Sequence, residues 1–487
     1  MFDMLSAVAL RHPDQPAIES RASTLSYAQL HNAVSAFSAK LQECGLSTDS
    51  PVVLILPNGP EFVIATFAAA KLGCLLVPLN PSFQADELRY YLNNSGAVAV
   101  ITNEAIAEHR QELIEEINPA CSIITTTADM SQPITDSNRE VISGELLYQY
   151  SSGTTGTPKK IVRSQVELVQ EARQYGETLG LEPGDRVLAV VPMSHSYGFG
   201  NCMMAALCSG ATLCTVERFS RREIVDMLKN KGITVFPGVP FMFGVLAETT
   251  SLAGTRFPQL RLVYTAGAPL GRDVFDACRD NFGFAIRQHY GSTETGPAAI
   301  NLGSTEGDMW ASVGQPVKNV DIRILREDGE AAAPGEIGDV ALSSPSIAKG
   351  YAEASEEDQL AFADGYFRTG DLGKLDAQGN LFVTGRKKLV INIGGNKVDP
   401  GEIERIINAH PAVNESVVLG IEGGRSGEII KAVIVCNAEI APDEIRSWCQ
   451  GKVADFKVPR VVEIRKDIPR SALGKVLLKS LLEPASG

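Results

Sequence analysis

The chain has 487 residues, which at roughly 150 residues per domain corresponds to about three domains or subdomains around a large core. Hydrophobic residues make up 44% and charged residues 21%, which excludes a disordered, fibrous or collagen-like chain. The 44 basic and 58 acidic side chains give a formal charge of −14, which argues against nucleic acid or an anionic membrane as partner but leaves room for a locally basic phosphate pocket.

The opening MFDMLSAVAL carries Asp3 where a secretory signal would be basic. Ser26-Tyr27-Ala28-Gln29 is a capping box, and Leu30, Val34, Phe37 and Leu41 then mark one helical face that Gly45 ends. Residues 52–56 read as a buried strand between Pro51 and Pro57, 61–72 as a helix and Leu75–Leu79 as the next strand, which together imply parallel βαβ units. The apolar stretch 62–79 is broken by Lys71, Gly73 and Pro78, so no membrane span is expected. The same alternation returns at 186–191, 200–209, 212–216, 221–229 and 234–236, extending a doubly wound α/β architecture to about residue 300.

From about residue 320 short alternating strands, Asp321–Leu325 and 337–343, are punctuated by Asp328-Gly329 and Pro334-Gly335 turns, as in a small antiparallel barrel or sheet. Beyond Gly385-Arg386-Lys387-Lys388 a separate α+β run of about 100 residues opens with a helix that has Asp399 as N-cap, Pro400 in its first turn and Glu402 completing a capping box. A domain boundary is placed near Lys388. The nine cysteines contain no C-x-x-C, and Cys202, Cys208 and Cys214 have the wrong spacing for zinc, so they read as free buried thiols in a reducing, cytoplasmic compartment. The final Pro-Ala-Ser-Gly is neither a peroxisomal nor a lipidation signal.

Five segments carry chemistry. Ser151-Ser152-Gly153-Thr154-Thr155-Gly156-Thr157-Pro158-Lys159-Lys160 combines small backbone, hydroxyl donors and cations, a composition suited to polyphosphate, although a hydroxyl-rich surface loop would look the same. It is not a Walker loop, because Gly373-Lys374, Gly451-Lys452 and Gly474-Lys475 all lack the following Ser or Thr. Gln288-His289-Tyr290-Gly291-Ser292-Thr293-Glu294-Thr295-Gly296 follows a strand predicted at 285–287. It offers a ring to stack on a base, a hydroxyl for a phosphate oxygen and a carboxylate for a hard cation, or else a plain strand-end turn. Gly365-Tyr366-Phe367-Arg368-Thr369-Gly370-Asp371 presents a carboxylate able to accept both vicinal ribose hydroxyls, and Arg386 a charged fork for ribose or phosphate; the two could equally pair with each other. The fourth segment runs from Arg386 into Ile393-Gly394-Gly395-Asn396-Lys397, and the fifth, Pro469-Arg470-Ser471-Ala472-Leu473-Gly474-Lys475, puts one lysine on a glycine-hinged loop.

In this order and spacing, SSGTTGTPKK, YGSTETG, YFRTGD, GRKK and PRSALGK resemble the adenylate-forming superfamily of acyl- and aryl-CoA synthetases, carrier-protein adenylation domains and luciferases, over nearly the whole chain. The resemblance implies an N-terminal domain of residues 1–385, a hinge at 386–388 centred on Lys388, and a mobile C-terminal domain of 389–487. It implies an AMP-forming carboxylic acid:CoA ligase that uses ATP, Mg2+ and coenzyme A, or a stand-alone enzyme that loads the pantetheine arm of an acyl carrier protein. A luciferase-type oxygenase and a nucleotide-binding protein without turnover are the remaining alternatives.

Residue by residue, the resemblance assigns Ser151, Ser152, Gly153, Thr154, Thr155, Gly156 and Lys159 to the ATP phosphates, Gly267, Ala268 and Pro269 to the adenine edge and Tyr290 to adenine stacking. Thr293 would contact the α-phosphate, Glu294 would bind magnesium, Asp371 the ribose and Arg386 the ribose and phosphates. Lys475 would reach the substrate carboxylate and α-phosphate during adenylation, and Gly394 and Gly395 would border the pantetheine tunnel. The acyl pocket would draw on His195, Ser196, Tyr197, Phe199, Val239, Phe241, Ala266 and His289. Where amino-acid-activating relatives carry an aspartate for the substrate ammonium, this chain has Ser196, which disfavours an α-amino acid and favours a plain aryl or aliphatic acid. His289 replaces the glycine of many acyl- and cinnamoyl-activating relatives. It either shortens the pocket, binds a polar substituent, or points into neighbouring packing.

Overall fold

Short apolar runs alternating with helices build two parallel-cored sheets in the computed structural model, which describes residues 1–126, 144–151, 158–249, 254–353, 355–389, 391–393, 396–422, 428–450, 452–471 and 476–482. The chain divides into two compact units, one of Met1–Gly153, Thr157–Ile322 and Leu342–Phe367, the other of Arg323–Ala341 and Arg368–Gly487.

In the first unit a six-stranded sheet runs in the order Ser122–Thr125, Ala99–Thr102, Pro51–Ile55, Leu75–Leu79, Glu145–Ser151, Lys159–Ser164. Its inner strands are parallel and Pro51–Ile55, Leu75–Leu79 and Ala99–Thr102 are buried on both faces, which is why they read as continuous apolar runs rather than alternating ones. The helix Pro60–Leu72 between two of them ends where Gly73 turns left-handed, at φ 82°. The capping box at Ser26 forms as expected: the Gln29 amide donates to the Ser26 hydroxyl at 3.2 Å, and the Ser26 amide donates to the Gln29 side chain at 2.8 Å, opening the helix Tyr27–Glu43.

The second sheet of this unit has nine strands, ordered Gln315–Pro316, Gly296–Ile300, Arg287–Ser292, Leu262–Thr265, Val235–Gly238, Arg186–Ala189, Thr212–Thr215, Pro16–Glu19, Thr24–Ser26. Two local expectations are corrected here. The segment 200–209 is not one regular helix: Tyr197–Met204 winds as a wide π-type helix and only Ala205–Ser209 is α-helical. Gly198 and Gly200 lie in this wide stretch, where a Cβ on the first would collide with the Pro192 carbonyl and on the second with the Glu171 carboxylate. The strand predicted at 285–287 instead spans Arg287–Ser292, so Tyr290 lies within a sheet and not beyond it.

The second unit holds most of a four-stranded sheet of Asp321–Leu325, Gly338–Ser343, Phe367–Leu375 and Leu381–Arg386, together with a three-stranded sheet of Val413–Glu422, Glu428–Cys436 and Val461–Arg465. Helices Pro400–Asn408 and Pro442–Cys449 pack on the three-stranded sheet through Ile403, Ile407 and Ile445. Asp399 caps the first of these helices by accepting from the Gly401 amide at 3.0 Å. Glu402 does not complete the box. Its carboxylate takes the Lys457 ammonium at 2.6 and 2.8 Å, a charged partner that outcompetes a backbone amide.

All nine cysteines are free thiols, six of them buried, and burial pushes Cys121 up to about 11 and Cys74 and Cys214 up to about 12. Among the described residues no His, Cys, Asp and Glu cluster of metal-binding form occurs, and no helix is long and apolar enough to cross a membrane.

Candidate active site

The hairpin between Arg287–Ser292 and Gly296–Ile300 places Thr293, Glu294 and Thr295 at its turn. Gly291 and Gly296 are both required there: a Cβ on Gly291 would strike the Gly296 carbonyl, and Gly296 adopts φ 65°. The Thr295 hydroxyl closes the turn by accepting from the Ser292 amide at 3.1 Å. Glu294 is consequently held at 8% exposure, its backbone carbonyl bonded by the Ala348 amide at 2.9 Å and its Oε1 by the Tyr351 hydroxyl at 3.0 Å. Burial, with the nearby Glu294 charge, pushes the Tyr351 hydroxyl up, so it remains protonated and donates. The Thr293 hydroxyl lies 3.3 Å from that of Ser196.

These groups fit a hard cation. Every metal-binding atom offered by the side chains at the turn is an oxygen, and a carboxylate that accepts one bond from Tyr351 keeps acceptor capacity for a metal. Lys159, expected on phosphate, has its ammonium on Asp358 and 4.9 Å above the Tyr351 ring. Tyr351 therefore touches both Lys159 and Glu294. It stands outside every motif in the sequence, so nothing local signals its role.

Beside this turn, the residues expected in the acyl pocket fall into two groups. Asn58 pins the loop after Arg186–Ala189, accepting from the Met193 amide at 2.7 Å and donating to the Val191 and Ala189 carbonyls at 3.0 and 3.1 Å. The loop carries His195 and Ser196, both partly exposed, into the helix bearing buried Tyr197 and Phe199. Val239 and Ala266 are buried at strand ends. Phe241 is not among them: it is 57% exposed on the first turn of Pro240–Ala247, against the Phe219 ring.

His289 sits in a cage. Its ring is stacked on Tyr197 at 5.8 Å and lies 5.2 Å from Tyr175 and 6.1 Å from Tyr264, while Asn201 donates to Nε2 at 2.8 Å. Burial drives its pKa down to about 3, so the imidazole is neutral at physiological pH. Asn201 and Tyr175 are not visible as pocket residues in the sequence: Asn201 follows the 195–199 segment on Tyr197–Met204, and Tyr175 lies on the helix Gln165–Leu179, which carries no motif.

Tyr290 is partly exposed and pairs across the strands with Ala299, and Gly267, Ala268 and Pro269 form the turn after Leu262–Thr265, with Gly267 at φ 90°. In the second unit Asp371 and Arg386 face each other in register, and Arg386 Nε donates to Asp371 Oδ1 at 2.8 Å. Asp371 is 6% exposed, which makes this the ion pair that the sequence allowed as one alternative. Lys388 lies in the short helical turn Lys387–Leu389. Ser151 ends the strand Glu145–Ser151, whereas Ser152, Gly153, Thr154, Thr155, Gly156, Gly394, Gly395 and Lys475 lie outside the described residues.

Comparison with known proteins matches residues 5–352 to the AMP-binding enzyme family model and 402–475 to that of the AMP-binding enzyme C-terminal domain. Oxalate–CoA ligase of Arabidopsis thaliana is 29% identical over 97% of this chain and 96% of its own. Among solved structures, ATP-bound MatB from Rhodopseudomonas palustris superposes with a TM-score of 0.89 at 26% identity, covering 99% of this chain and 98% of that one. The o-succinylbenzoate coenzyme A synthetase of Bacillus subtilis, in complex with ATP and magnesium, gives 0.87 at 26% identity and 99% coverage of both chains.

Proposed function

The chain belongs to the AMP-binding enzyme family, and from that premise we propose that it is an AMP-forming carboxylic acid:CoA ligase. ATP and a carboxylic acid give acyl-adenylate and pyrophosphate; coenzyme A then displaces AMP to give the thioester. The observation that carries this reading is the Thr293–Glu294 turn, an all-oxygen set held by Tyr351 and Ser196 beside the buried acyl cluster. The CoA ligases among its relatives support it.

In the first step a carboxylate oxygen bonds to the α-phosphorus and the bond to the pyrophosphate oxygen breaks. The carboxylate is already ionised at neutral pH, so no general base is needed; the obstacle is anion meeting anion. Glu294 would hold the magnesium ion, which when bound would supply charge neutralisation at the phosphates. Thr293 donates to an α-phosphate oxygen, Lys475 neutralises the crowded phosphorus, and Ser151, Ser152, Gly153, Thr154, Thr155, Gly156 and Lys159 receive the remaining phosphates. Tyr290 stacks on adenine along Gly267, Ala268 and Pro269. Asp371, with Arg386 already on one oxygen, accepts the ribose hydroxyls through its remaining lone pairs.

The N-terminal domain is assigned to 1–385 and the hinge to 386–388, and rotation about Lys388 brings Gly394 and Gly395 to the pantetheine. Replacing Lys388 with proline removes a backbone donor and locks φ, so ATP–pyrophosphate exchange should continue while thioester formation stops. Equal loss of both half-reactions would count against rotation.

The acid is read as small: His289, Tyr175, Tyr197 and Tyr264 pack ring against ring at the floor of the proposed pocket, and this aromatic floor would limit the length of acid that enters. Ser196 provides no charge for an ammonium, which sets amino acids aside. His289→Gly should shift the kcat/KM profile toward longer acids, raising the ratio by about tenfold or more per accommodated methylene or ring edge. An unchanged profile would remove His289 from the pocket floor.

The test of the whole reading is mass spectrometry of reactions with ATP, magnesium and a panel of aryl and aliphatic acids, with and without coenzyme A. An acyl-CoA formed with a few short acids is the expected product. A persistent acyl-adenylate that coenzyme A does not consume would instead identify a carrier protein as acceptor.

A further inference from the structure

Arg163, on the strand Lys159–Ser164, and Glu171, on the helix Gln165–Leu179, form an ion pair at 2.6 Å with side chains only 1% and 4% exposed. Withdrawing two full charges from water is costly, and well-packed apolar residues of similar volume commonly hold a fold as well or better. Arg163 Nε, moreover, has no hydrogen-bond partner among the described residues. Stability alone is therefore a poor reason for this pair.

What the pair touches supplies a better one. Arg163 Nη2 donates to the Ser346 carbonyl at 2.6 Å, and Nη1 reaches the Thr293 carbonyl at 3.5 Å. Ser346 opens the short stretch whose Ala348 amide bonds the Glu294 carbonyl and whose Tyr351 hydroxyl bonds the Glu294 carboxylate. On the other side, the Glu171 carboxylate fills the space that a Cβ on Gly296 or on Gly200 would need. The guanidinium thus holds the first residue of the Thr293–Gly296 turn and the loop that grips Glu294. The carboxylate abuts the last residue of the turn and the helix carrying Tyr197 and Asn201.

We propose that Arg163 and Glu171 are positioning residues that set the location of the Glu294 carboxylate and the Thr293 hydroxyl, and through them the magnesium and nucleotide affinity of the site. This rests on the roles proposed above for Thr293 and Glu294. A metal-binding carboxylate is only as well placed as the groups behind it, and loss of such supports costs about 10- to 100-fold in metal affinity or activity.

Single substitutions leave one buried charge unpaired and put folding at risk, so the decisive variant is Arg163→Met with Glu171→Leu, which removes both charges and keeps the volume. Calorimetric melting, isothermal titration of ATP at a series of magnesium concentrations, and the two half-reactions would be measured on it and on the wild-type chain. The expected result is a melting temperature close to wild type, a magnesium half-saturation raised about tenfold or more, and unchanged thioester formation from supplied acyl-adenylate. A folded double variant with the wild-type magnesium requirement, or with equal loss in both half-reactions, would overturn the proposal. A wild-type chain that binds no magnesium-ATP would overturn the ligase reading and this proposal with it, so the wild-type arm tells the two failures apart.

Discussion

Replacing Glu294 with glutamine is expected to lower ATP–pyrophosphate exchange about 100- to 1000-fold, the cost of losing one preorganised charge-stabilising group in a desolvated site. The substitution is isosteric and the glutamine carbonyl still accepts from the Tyr351 hydroxyl, while the Ala348 amide bonds the backbone and is untouched. The turn should therefore keep its shape and lose only the negative charge. Two readouts separate this from misfolding: the melting temperature stays near wild type, and excess magnesium restores part of the exchange. Thioester formation from supplied acyl-adenylate, in which no pyrophosphate leaves, should be spared. Exchange at the wild-type rate and wild-type magnesium dependence would remove Glu294 from the metal site.

Lys475→Ala should lower adenylation by about 100-fold or more, because the one ammonium proposed to lie between the approaching carboxylate and the α-phosphorus is lost. The effect should again be confined to the first half-reaction: displacement of AMP by a thiol proceeds from a neutral acyl carbonyl and does not bring two anions together. Steady-state exchange and single-turnover thioester formation, run on the same preparation, report the two steps separately. A variant that adenylates at near wild-type rate would sink the role. Lys475→Arg would restore the charge without the compact ammonium, and partial rescue is expected only if charge rather than shape dominates.

Much of the molecule was legible from its residues because the deciding interactions are local. The Ser26 box, the Asp399 cap, the glycine stop at Gly45 and the buried parallel strands all follow from chemistry within three or four positions or from the period of the apolar residues. Motif order added the family, since five short segments in one sequence constrain more than any of them alone. The local reading failed where a long-range partner intervened: Glu402 turned to Lys457 instead of closing its box, and the helix winds wide over Tyr197–Met204, where Gly198 and Gly200 lie against Pro192 and Glu171.

By itself, then, the sequence determined the α/β class, the family through the order of its motifs, and the oxygen-bearing side chains of the Thr293–Glu294 turn. Tertiary structure alone decided that Tyr351 grips Glu294 across 57 residues of chain, that Arg386 occupies one oxygen of Asp371, that Phe241 faces outward and that His289 is a neutral ring in a tyrosine cage. The physical reason is reach. Caps, turns and periodicities are satisfied within a few residues, whereas the partner of a buried polar group is chosen by how whole strands and helices pack, and no local pattern encodes that choice.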